Sequence, residues 1–118
     1  MNDASQRFAL LRQRYERSFP DKRAAFERAW HALRAKPDER HAASLQSIAH
    51  RLAGSAPPYG YEALGSSARS LDAMLDDWIK RAPDDREGAD ILAELLLPRA
   101  TDVLERFADA IASAAESV

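Results

Sequence analysis

Apolar residues recur at spacings of three and four along nearly the whole chain, and proline or glycine marks each interruption. The first stretch, about Ala4 to Phe19, places Phe8, Leu11, Tyr15 and Phe19 on one helical face. Pro20 suits the first turn of a second helix, which runs to about Ala35 with Phe26, Trp30 and Leu33 inward. A break follows from Ala35 to Arg40, where Pro37 restarts the chain. Asp38 and Glu39 there suit the positive end of the next helix. The third helix, about Asp38 to Ala56, carries a stripe of Leu45, Ile48, Ala49, Leu52 and Ala56. Pro57-Pro58 stops it, and Gly60 is available for a tight link. The fourth, about Tyr61 to Arg81, has the most regular pattern, with Leu64, Ala68, Leu71, Leu75 and Trp78. A loop is expected at Arg81 to Gly88. The final helix then spans about Arg86 to Ala115, with Leu92, Leu96, Val103, Phe107 and Ile111 inward. Pro98 falls inside that pattern and predicts a kink, because it removes a backbone donor.

Five amphipathic helices with short connections predict an all-α fold. The arrangement expected is an antiparallel up-down four-helix bundle of the second to fifth helices, with the additional N-terminal helix packed across one end or side. At 118 residues, positions 1–118 make one domain, large enough for its own core. The chain is rich in alanine and holds only four glycines, which favours helix throughout. It has no cysteine, so disulfides and thiolate metal sites are excluded. A net charge of −2, from well-mixed acids and bases, offers no field for nucleic acid or anionic lipid. No apolar run approaches the roughly 20 residues that span a bilayer. The opening "MNDASQRF" lacks a signal-peptide core, so a cytoplasmic location is expected; a monomer is expected as well.

One short stretch departs from this economy. "AHRLAGSAPPYG", Ala49 to Gly60, keeps a glycine one turn after a histidine, although glycine inside a helix costs about 1 kcal/mol relative to alanine. With about 100° per residue, His50 lies roughly 130° from the apolar stripe and projects toward solvent. Its neighbours at three, four and seven positions are Ala43, Gln46, Ser47, Ala53 and Gly54, all small except Gln46. A broad partner could descend on such a patch, and a side chain at Gly54 would obstruct it. A bland reading stands beside this one: Gly54 begins the helix end that Pro57 enforces, and His50 is an exposed histidine without a role.

His50, Leu52, Gly54, Ser55 and Gly60 together resemble the signature of the histidine-containing phosphotransfer (HPt) family. That family shows Leu two, usually Lys three, Gly four, often Ser five and Gly ten residues after its His. The pattern continues in "ALGSSARSLDAML", where Leu71-Asp72 stands at the place of the family's Leu-Glu pair. The likeness in helix order and length covers nearly the whole chain. The family's Lys is replaced by Ala53, which removes a charge that would neutralise a phosphoryl group. Arg51 lies about 100° round the helix and compensates only in part; Arg69 is another candidate.

The resemblance implies a phosphorelay intermediate in two-component signalling. His50 would accept a phosphoryl group at Nε2 from the aspartyl phosphate of a response-regulator receiver domain and pass it on. Neutral imidazole is a competent nucleophile near pH 7. The receiver would bring Mg²⁺ and a lysine, so the chain needs no cofactor or metal of its own. A hybrid sensor histidine kinase is a further implied partner. Gln46, Ser47, Arg51, Gly54 and Asp72 would support docking, with the Asp72 carboxylate able to accept a ring hydrogen bond. No P-loop is present, so the implied protein is a phosphocarrier without kinase activity. Arg51 after the His, where histidine-kinase phosphoacceptor domains usually carry an acid, argues against a kinase fragment.

Two other readings compete. A degenerate HPt-like or helical adaptor domain would bind a signalling partner without phosphotransfer, and Ala53 favours it. A di-iron bundle would need inward Glu-x-x-His pairs. Glu39 and His41 are two apart and do not match, while His31 and His41 read as surface residues.

Overall fold

The computed structural model describes residues 3–81 and 86–116, with the backbone alone at 81 and 86–93. The described residues form five α-helices and no strand: α1 (Asp3–Arg17), α2 (Phe19–Ala35), α3 (Glu39–Ser55), α4 (Glu62–Arg81) and α5 (Arg86–Glu116). A 3₁₀ turn, Pro57–Tyr59, joins α3 to α4. α3 packs against α2 and α4, and α5 packs against α4 and α2, so these four helices enclose the core. The expected loop at Arg81 to Gly88, up to the start of α5, and the side chain of Leu92 lie outside the described residues. α5 remains helical through Pro98.

The punctuation acts as its chemistry requires. Asp38 is extended and its carboxylate accepts from the backbone N–H of His41 at 2.8 Å, satisfying a donor that the helix itself leaves unpaired. That bond holds its carboxyl below the ordinary carboxylate range. Pro57 ends α3 and opens the 3₁₀ turn, and Gly60 then takes φ +90°, a left-handed conformation that residues with a Cβ rarely adopt.

Phe19, Phe26 and Phe107 are fully buried, and their rings meet at 6.4 Å (Phe19–Phe107) and 6.1 Å (Phe26–Phe107). Leu33, Leu45, Leu71 and Leu75 are fully buried too. Aromatic and leucine anchors from four helices therefore share one apolar interior, the dominant favourable contribution to folding.

The first helix differs from expectation. Phe19 opens α2 instead of closing α1, and no residue of α1 is buried. Phe8 and Leu11 remain 47% and 49% exposed. The reason is what α1 packs on: it meets the 3₁₀ turn and the start of α2, and touches the enclosed core at its edge through Tyr15. Tyr59 stacks on Phe8 at 5.6 Å and on Tyr15 at 4.7 Å, while the Tyr15 hydroxyl bonds Ser55 Oγ at 2.7 Å. Tyr61 donates to the Glu16 carboxylate. An apolar stripe at helical spacing reports an amphipathic helix, not the depth at which it packs.

Gly65 marks the tightest approach between elements. A Cβ there would lie 2.5 and 2.7 Å from Cγ and Cδ of Pro57 and 3.5 Å from the Ala53 carbonyl oxygen. A proline ring cannot swing aside as a flexible side chain would. Gly65→Ala is expected to destabilise the protein by about 1–3 kcal/mol, the usual cost of overpacking, read as a lower midpoint in urea or thermal unfolding.

Candidate functional site

The site lies where α3 and α4 run side by side, and five side chains there form one connected series. His50 and Gln46 are one turn apart on α3; Asp72, Asp76 and Lys80 follow at successive turns on α4. His50 Nδ1 is 2.9 Å from Asp72 Oδ2. Gln46 Nε2 donates to Asp72 Oδ1 at 3.1 Å and to Asp76 Oδ1 at 3.3 Å. Lys80 Nζ closes the series at 2.7 Å from Asp76 Oδ2.

The polarity of the His50 bond follows from its partner. An ionised carboxylate only accepts, so Nδ1 carries the hydrogen and the neutral ring keeps its lone pair on Nε2. The His50 side chain is 78% exposed whereas that of Asp72 is 19% exposed. A solvent-reachable ring thus stands on a largely covered acceptor. Farther along, the hydrogen bonds from Lys80 and then Gln46 hold the Asp76 carboxyl below its ordinary range, and Asp76 in turn raises the Lys80 ammonium.

Around His50 the helix surface is uneven. Ser47 is exposed, and its carbonyl oxygen receives Arg51 Nε at 3.4 Å. Arg51 also lines a groove of about 200 Å³ with Lys22, Ile48, Leu52 and Ser55, which places it toward α2, away from the Asp72 side. Arg69 is exposed on α4. Ala53, grouped by spacing with the open patch around His50, is instead only 7% exposed and belongs to the core. Its position, one residue after buried Leu52 and four after buried Ala49, turns it into the α3–α4 contact.

Gly54 answers to neither backbone nor packing. It sits within α3, where the helix continues to Ser55, and a Cβ added there would meet nothing within 4 Å. It is not a left-handed cap; Gly60 has that task. The space one turn beyond His50 is therefore open. His31 is exposed on α2, and His41 Nδ1 lies 2.7 Å from Asp38 Oδ1 at the start of α3, paired there and not with the His50 series. Among the described residues no three His, Asp or Glu side chains are grouped to hold a metal ion, and no helix is long and apolar enough to cross a membrane.

Helical spacing from His50 points to Gln46, whereas Asp72 is reached only through the family resemblance. Asp76 and Lys80 were not singled out, although their recurrence every fourth residue after Asp72 on a regular helix was the available signal.

Two outcomes are expected. Gly54→Ala should leave the fold intact and raise stability by up to about 1 kcal/mol, as removal of a helical glycine without a new contact does; chemical unfolding measures it. Asp76 has a lowered folded pKa, so its ionised partnerships stabilise the protein at neutral pH and above the unfolded carboxylate range. That advantage should disappear as pH falls through the folded pKa. The difference in melting temperature between wild type and Asp76→Asn should accordingly shrink on acidification. Comparison of the chain with protein-family models, with curated proteins and with solved structures finds no match.

Proposed function

We propose that the protein is a histidine phosphotransfer domain, a phosphorelay intermediate that carries a phosphoryl group on His50 to or from the aspartate of a response-regulator receiver domain. The observation that carries the reading is the orientation of one exposed imidazole: Nδ1 engaged by Asp72, Nε2 left as the nucleophile, and open space above Gly54 one turn on. In this reading α2 to α5 are an antiparallel four-helix bundle, α1 is an added N-terminal element, and the chain acts as a cytoplasmic monomer. A hybrid sensor histidine kinase is a candidate source of the receiver.

The chemistry needs little from this chain beyond placement. The Nε2 lone pair attacks phosphorus of the aspartyl phosphate in line. The P–N bond forms as the P–O bond breaks, and the electron pair leaves on the receiver's carboxylate. The Nδ1 proton stays in its bond to Asp72, whose charge balances the cationic phosphorylated ring. Donation to a second aspartate reverses these steps, and retention of the Nδ1 proton keeps the ring a good leaving group. Positioning and charge neutralisation dominate such transfers. The receiver's Mg²⁺ and lysine would supply the charge on the phosphoryl oxygens, and no kinase activity is assigned to this chain.

Ala53 favours a second reading. The HPt family usually places lysine there, and a small buried residue offers no cation. A domain so altered could bind a signalling partner without accepting phosphate.

Treatment with phosphoramidate, or with a phosphorylated receiver, separates the two. Intact mass at alkaline pH should show a single acid-labile phosphate on the wild type and none on His50→Gln. A folded wild type that takes phosphate from neither donor leaves the binding-only reading. A Gly54→Gln variant should still label with phosphoramidate, yet lose about tenfold or more in rate from a receiver, because the larger donor must approach over that residue.

A further inference from the structure

We propose that Gln46 is a positioning residue for His50, acting through Asp72: its amide fixes the Asp72 carboxylate, and the carboxylate fixes the tautomer of the ring. Its functional meaning rests on the phosphotransfer reading, whereas its structural content stands apart from it.

The geometry leaves Asp72 little choice. Its two oxygens have different partners, Oδ1 taking Gln46 Nε2 at 3.1 Å and Oδ2 facing His50 Nδ1 at 2.9 Å. A carboxylate held at one oxygen can rotate about its terminal torsion, which is broad for Asp; held at both, it cannot rotate without losing a bond. Gln46 is equally constrained. Both acids only accept, so the amide nitrogen must face them, and its two hydrogens serve Asp72 and Asp76, one each. Those acids stand four residues apart on α4, where like charges repel. A donor between them relieves that repulsion, and Lys80 on Asp76 Oδ2 anchors the far end. The series therefore transmits placement from an exposed ion pair to the reacting ring, one fixed group at a time. Second partners that orient an imidazole in this manner set which nitrogen carries the proton.

Nitrogen-15 NMR of the imidazoles in the full chain, at alkaline pH where the rings are neutral, tests the assignment directly. In the wild type His50 should be mainly the Nδ1–H tautomer. Gln46→Leu, similar in size but without donors, should lower the ratio of Nδ1–H to Nε2–H at His50 by about threefold or more, on the scale of one lost hydrogen bond. Gln46→Met should do the same, and Lys80→Met should shift the ratio in the same direction by less. His41 is the internal control, because its Nδ1 also faces a carboxylate, Asp38, without a glutamine between; its ratio should not move. An unchanged His50 ratio in folded Gln46→Leu and Gln46→Met overturns the assignment, even if wild-type His50 accepts phosphate. A shifted ratio in a protein that phosphoramidate never labels upholds it and removes the phosphotransfer reading instead.

Discussion

The close approach of α3 and α4 governs everything that follows from this fold. Ala53 is buried on α3 and Ala56 just after its end, Gly65 and Ala68 are buried on α4, and the Pro57 ring occupies the space a side chain at 65 would need. Helices that meet through methyl groups and bare backbone lie nearer than helices that meet through leucines. Near helices let a short acid suffice. Asp72 is one methylene shorter than the glutamate usual at that place in the family that the sequence resembles, and it still comes within hydrogen-bond distance of His50.

The same approach accounts for Ala53. On a helical wheel that residue reads as part of the patch around His50, but the α3–α4 contact covers it. A lysine there would have to run its stem along the contact to bring the ammonium into water, as long cationic side chains do. Gly54, the next residue, is the opposite case: nothing in the fold touches the space above it. Two small residues side by side thus have unrelated causes. One is small because the interior requires it, and the other is small although the interior does not.

The helices were legible because their signals are local. Periodicity at three and four, together with Pro20, Pro37, Pro57 and Gly60, placed the helix boundaries within a residue or two. The exposed character of His50 was legible for the same reason, since a wheel relates it to its own stripe. What a wheel cannot give is the relation between two helices. The half-exposure of Phe8 and Leu11, the burial of Ala53 and the need for Gly65 all depend on what lies opposite. The roles of Asp76 and Lys80 likewise appear only once α4 is set beside α3, because Gln46 is the link that gives them meaning.

The contact between Pro57 and Gly65 has a mechanical consequence as well. A pyrrolidine ring has no rotamers to exchange, and a backbone without a Cβ offers no side chain to yield, so the two surfaces resist sliding past each other. The ends of α3 and α4 nearest the ring are thereby held in register. Whatever approaches His50 therefore meets a surface whose shape is set before contact. The helix backbones would add little ordering cost to such a contact; that cost falls instead on exposed side chains such as His50.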